Sequence, residues 1–154
     1  MELTNTAAGI RPMSAKAIAK VAQVERELLA CQQLPIHTHH VLHAGMYSRT
    51  ITIPANVTLT GALIKRATML VISGDVLVLV GEKVSLRIVG TQVLPASAGR
   101  KQIFRTFADT SVTMMFPTTA RTVEEAEAEF TDEAHMLLSH RDPECNTITI
   151  TGEQ

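Results

Sequence analysis

Tyr47-Ser48-Arg49-Thr50-Ile51-Thr52-Ile53 alternates along its length, the period of an extended chain whose successive side chains point to opposite faces. Further β-like runs follow it: Thr58 to Leu63, Thr68 to Ile72, Val76 to Val80, Val84 to Val89, Gln92 to Leu94, Gln102 to Phe107 and Ser111 to Phe116. Turn-forming residues separate them at Pro54-Ala55-Asn56, Ser73-Gly74-Asp75, Gly81-Glu82-Lys83, Gly90 and Ala108-Asp109-Thr110,. About eight strands at such even spacing leave no room for crossover helices, so they predict a sandwich or barrel of antiparallel strands and exclude a doubly wound fold.

On either side of this zone the period changes. Between Met13 and Gln33, Ile18, Val21 and Leu28 recur at helical spacing among Lys16, Lys20, Glu25, Arg26 and Glu27. This predicts an amphipathic helix that starts near Pro12 or Ser14, is closed by Pro35, and packs on the domain or on a neighbouring subunit. Beyond Thr118, Thr122 and Glu125 form a capping-box pattern. Val123, Ala126, Phe130, Ala134 and Leu137 then fall on one helical face, predicting a helix from Val123 to Leu138,. Thr147 to Thr151 reads as a last short strand. The expected organisation is an N-terminal helix and linker over residues 1–40, a β domain over 41–117, and a C-terminal helix and short strand over 118–154.

The 154 residues suffice for one well-buried core, and the 45% hydrophobic fraction excludes disorder,. A net charge of −1 supplies no general attraction to nucleic acid or anionic membrane,. Met1 to Gly9 lacks the charged and apolar regions of a signal peptide, and the apolar stretch Met69 to Val80 is broken by Ser73-Gly74-Asp75,. The expectation is a cytoplasmic protein with no membrane or nucleic-acid partner. Cys31 and Cys145 read as two free thiols,.

The central zone, residues 46–117, resembles a cupin. Ile53-Pro54-Ala55-Asn56 stands at the turn that opens the first cupin motif, with Asn56 suited to a left-handed backbone, and Gly74 matches its hairpin glycine,. The resemblance implies a mainly β, jelly-roll (double-stranded β-helix) barrel flanked by an N-terminal and a C-terminal amphipathic helix. It also implies a homo-oligomer, a dimer or trimer. A further likeness is to small cupin-like proteins encoded by tailed bacteriophages. Counting back from Gly74 puts Gly61 and Leu63 at the two histidine positions of the motif and Ala67 at its glutamate position. In Pro95-Ala96-Ser97-Ala98-Gly99-Arg100, Arg100 takes the remaining histidine position. All four standard metal ligands are replaced. Gly, Leu and Ala offer no side-chain donor, so no cofactor is expected there. The barrel mouth is instead expected to hold Leu63, Lys65 or Arg66, Tyr47 and Arg100, the last presenting a planar fork to a small anionic ligand.

Four of the six histidines lie in His37-Thr38-His39-His40-Val41-Leu42-His43. If that segment is extended, His37, His39 and His43 share one face and His40 takes the other. Imidazoles are ligands for a divalent transition metal such as Zn, Fe or Ni. On a straight strand, however, His37 and His43 stand about 20 Å apart, and no carboxylate lies near to serve as a general base. His135 and His140 read as surface residues. The sequence carries no nucleophile elbow, Walker loop, dinucleotide fingerprint or Cys-x-x-Cys pair,. The leading reading is a non-enzymatic, homo-oligomeric assembly or binding scaffold. A second is a metal-dependent isomerase or dioxygenase using His37, His39 and His43. A third is an anion-binding module built on Arg100.

Overall fold

Apolar residues at every second position force one face of each strand inward, and the chain satisfies them by curling a single sheet around its own core. The computed structural model describes residues 9–154; the signal-peptide reading of Met1 to Gly9 lies, but for Gly9, outside them. The order is α1 (Ala15–Leu29), β1 (His37–His43), β2 (Met46–Ile53), β3 (Thr58–Thr60), β4 (Thr68–Leu79), β5 (Ser85–Ala96), β6 (Ile103–Thr106), β7 (Thr110–Pro117), α2 (Val123–Phe130), α3 (Leu138–Arg141) and β8 (Asn146–Ile150). The strands run β3-β6-β4-β7-β2-β1-β8, with β5 paired to β4. This is the mainly β, curled, mixed-strand half-barrel of a jelly roll, flanked by short helices.

The curl originates in β4. Its first half pairs with β7 (Met69 to Ser73 against Ser111 to Met115) and its second half with β6 (Val76 to Leu79 against Ile103 to Thr106). One strand therefore feeds two diverging wings. The bend lies at Gly74, whose φ of +152° and proximity to Thr110 leave no room for a side chain: a Cβ there would stand 2.8 Å from the Asp109 carbonyl oxygen,. Two expected turns are thus corrected. Ser73-Gly74-Asp75 and Gly90 do not end strands; Gly74 pairs with Gly90 inside the continuous β4–β5 ladder, and the hairpin turns at Gly81-Glu82-Lys83. A glycine in mid-strand permits a sharp bend without breaking the pairing. Asn56 does adopt the left-handed backbone expected of it, with φ of 61°.

Two other expectations are revised. β8 joins β1 in parallel, so the sheet is not wholly antiparallel. The C-terminal helix stops at Phe130 rather than Leu138. Thr131 leaves the helix because its hydroxyl donates to the Leu63 carbonyl (2.8 Å) while the Lys65 N–H donates to the Phe130 carbonyl (2.8 Å). Those tertiary bonds compete with helical continuation, which the apolar spacing alone would favour. The helix start follows the capping box, with the Glu125 N–H donating to the Thr122 hydroxyl,. Ser14 caps α1, whose Ala17 and Val21 pack on its own domain, together with the preceding Met13, against Leu79 and Ile103.

Candidate functional site

The inner faces of the wings do not close completely. Between them lies a cavity of about 170 Å³ with walls from Ile51, Leu70, Phe104, Val112, Met114 and Phe130. Its rim is formed by Leu28 and Leu29 of α1 and by Met136 and Arg141 of the C-terminal segment. Alternation supplies the wall: Arg100, Gln102 and Phe104 line the cavity at two-residue intervals,.

Arg100 is the chemically distinctive group. It is 1% exposed, and its partners are neutral. Nη1 donates to the Ser97 carbonyl (2.7 Å) and the Arg66 carbonyl (3.4 Å), and Nη2 to the Thr68 hydroxyl (2.8 Å). Nε has no hydrogen-bond partner among the described residues, and neither has Nε2 of the buried Gln102. Burial pushes the Arg100 pKa down to about 10, which still leaves the guanidinium charged at neutral pH. The other buried cations are matched by carboxylates. Arg49 meets Glu127 at 3.3 Å, and Lys101 lies 3.0 Å from both Glu25 and Glu133. Among the described residues no carboxylate lies within ion-pair distance of Arg100.

The remaining residues expected at a barrel mouth are placed elsewhere. Tyr47 is fully buried beside the cavity wall, 2.7 Å from His40 Nδ1 and packed on Phe116 and Phe130; burial raises its pKa to about 12. Lys65 is turned outward to Asp132 at 2.6 Å, and Arg66 lies over the Phe116 ring. Leu63 contributes backbone: its N–H donates to Glu133 Oε1 at 2.7 Å. Of the four positions matched to metal ligands, Gly61 and Arg100 line the cavity, whereas Leu63 and Ala67 do not. This set does not fit a metal ion, having one cationic side chain and no lone-pair donor.

Nor do the clustered histidines converge. His37, His39 and His43 share the exposed face of β1, and each meets a hydroxyl of the C-terminal strand region: Thr147 at 3.0 Å, Thr149 at 3.4 Å and Thr151 at 2.7 Å. Among the described residues no group of three or more His, Cys, Asp or Glu side chains is arranged to hold a metal ion. His40 is buried, with Nε2 2.8 Å from Asn146 Oδ1. That contact makes Nε2 the protonated nitrogen and leaves Nδ1 to accept from Tyr47. His140 is not merely a surface residue: its Nε2 lies 2.7 Å from Oε1 of the buried Glu127, whose other oxygen accepts from Ser139.

No protein-family model matches the chain, and no curated protein matches it at a significant level. Solved structures resemble it over part of its length. The cupin domain of Schizosaccharomyces pombe Cnp3 is 14% identical with a TM-score of 0.44, over 66% of this chain and 72% of that one. A cupin-2 domain-containing protein of Shewanella frigidimarina is 5% identical with a TM-score of 0.41, over 62% and 91%. A Ralstonia eutropha protein of unknown function with a cupin-like fold is 12% identical with a TM-score of 0.37, over 77% and 80%. Each of the three is a cupin or cupin-like protein by its own description. These likenesses concern the fold alone, and none of the three supports a bacteriophage origin for this cupin-like chain.

Gln102, Phe104 and the α1 rim are functional candidates that the sequence reading did not reach. Gln102 had a signal, since it stands two residues after Arg100. The rim had none, because the packing that brings Leu28 to the barrel joins residues far apart in sequence.

Proposed function

We propose that this cupin-like chain is a non-catalytic binding module that holds a small organic anion in its barrel. The observation that carries the reading is Arg100: a buried cation paired only with neutral acceptors, lining a cavity that also takes apolar walls from Ile51, Leu70, Phe104, Val112, Met114 and Phe130. A carboxylate there would gain a charge-assisted bond from Nε and a second bond from the Gln102 amide. The volume sets the size of the ligand. A cavity of about 150 Å³ accepts benzene, so about 170 Å³ suits a monocarboxylate with a compact aryl or branched alkyl body.

The test is a thermal-unfolding and calorimetric titration with benzoate, phenylacetate and isovalerate, against benzyl alcohol as the neutral control. Ligand at a hundred times its Kd stabilises a protein by about 2.7 kcal/mol, or about 5–10 °C for a chain of this length. At least one carboxylate should produce such a shift, the alcohol should not, and Arg100→Met should abolish it. No shift at millimolar carboxylate, or an equal shift in Arg100→Met, overturns the proposal.

A further inference from the structure

The cavity wall carries charge of both signs, and neither sign is balanced. Glu25 of α1 and Glu133, just after α2, line it together with Arg100 and Gln102. Lys101 holds the two carboxylates, its ammonium 3.0 Å from each. The Thr60 hydroxyl also reaches Glu25 at 3.5 Å, and the Leu63 N–H donates to Glu133. All these contacts fall on Oε2 of Glu25 and Oε1 of Glu133. The second oxygen of each carboxylate receives no hydrogen bond among the described residues. One ammonium between two carboxylates leaves a negative charge in excess. Arg100, with its neutral partners, leaves a positive one. Exposure separates them: Arg100 is 1% exposed, and the side chains of Glu25 and Glu133 are 16% and 30% exposed. The cation therefore lies deeper than the carboxylates. Of the other charged lining residues, Arg49 is matched by Glu127, and Arg141 is exposed at the rim, where salt water screens it,.

We infer that the cavity takes a zwitterion: a small amino acid whose carboxylate meets Arg100 and whose ammonium meets Glu25 and Glu133. The inference rests on the reading of Arg100 as the carboxylate site and adds the ligand's second charge. Two independent observations require opposite ends of the ligand. Nε of Arg100 and Nε2 of Gln102 are unpaired donors among the described residues, on side chains more than nine-tenths buried, and they call for an acceptor. The free oxygens of Glu25 and Glu133 call for a donor, and an ammonium supplies three N–H groups and no acceptor. A simple carboxylate satisfies the first demand and leaves the excess negative charge facing its hydrocarbon body. Taking an ammonium out of water weakens binding unless an opposite charge receives it. Its effect on affinity therefore reports whether the two glutamates act on the ligand.

Calorimetric titration of the full chain at neutral pH with matched pairs tests this: valine against isovalerate, γ-aminobutyrate against butyrate, and δ-aminovalerate against valerate. Within a pair only the ammonium differs, and between pairs its distance from the carboxylate changes. In at least one pair the amino acid should bind roughly tenfold tighter or better, the scale of one charge-assisted hydrogen bond. Glu25→Gln and Glu133→Gln each remove the excess negative charge at nearly constant shape. Either should erase that advantage and leave the affinity of the plain carboxylate unchanged or improved. Circular dichroism checks the fold of each variant, and the wild-type comparison stands without them. If the carboxylates bind and no amino acid exceeds its partner, the inference falls while the anion reading stands. An advantage that persists in both variants overturns it as well. If neither member of any pair binds, both readings fail.

Discussion

A guanidinium at 1% exposure with only carbonyl and hydroxyl acceptors gives up solvation without recovering it from an opposite charge. Such a group destabilises the fold it sits in. Arg100→Met retains comparable volume and removes the charge, so urea unfolding should show a gain of about 1 kcal/mol or no loss, together with lost carboxylate binding. A loss above about 2 kcal/mol would assign Arg100 to structure instead. His40 provides a second test at this scale. Burial, more than the nearby Arg49, lowers its pKa from the ordinary 6.5, against the opposing bond to Asn146. Below pH 6.5 the unfolded chain takes up a proton that the folded imidazole resists. Its contribution is therefore complete above pH 6.5 and is lost as pH falls through the lower folded value. Urea midpoints measured downward from pH 7 should decline, and His40→Gln should flatten that decline.

β4 and β5 show how an element depends on single backbone positions. Gly74 and Gly90 face each other in the ladder, both at positive φ, but their surroundings differ. A Cβ on Gly74 meets Asp109 and Thr110 backbone, whereas one on Gly90 meets nothing within 4 Å. Gly74→Ala should therefore cost about 3 kcal/mol or more, from strain and collision together. Gly90→Ala should cost about 1–2 kcal/mol, the backbone term alone. Equal costs in chemical denaturation would contradict the account of the bend. In α2 the Thr122 cap is a local device, and Thr122→Ala should lower stability by about 1 kcal/mol, read in the same assay.

Across the molecule, Lys101 ties three distant parts of the chain together. Its ammonium, 2% exposed, lies between Glu25 on α1 and Glu133 on the C-terminal segment, both of which line the cavity. Burial would raise the Glu133 pKa, but the Leu63 N–H and the Lys101 ammonium together hold it below the ordinary 4.5. That stabilisation is present above pH 4.5 and is lost as pH falls through the lower folded value. Lys101→Met should cost about 2–3 kcal/mol by leaving two carboxylates facing one another. It should also increase amide exchange at the α1 end near Leu28, where the rim loses its tie. Unchanged exchange at that end would limit Lys101 to a local role.

Local rules were enough for much of this. Alternation from Tyr47 onward, the helical spacing after Ser14 and the capping pair Thr122 and Glu125 depend on neighbours close in sequence, so the sequence by itself determined a β domain flanked by helices. It also placed His40 opposite His37, His39 and His43, and singled out Arg100 through its position in a recognisable motif. Tertiary structure decided the rest. Whether Gly74 turns the chain or bends a continuous strand depends on Gly90 and Thr110, and α2 ends at Phe130 because Leu63 and Lys65 compete for its last groups. The cavity and its rim exist only after strands remote in sequence are brought into register. Sequence periodicity tells which side of a strand is inward; only pairing tells which other strands share that side.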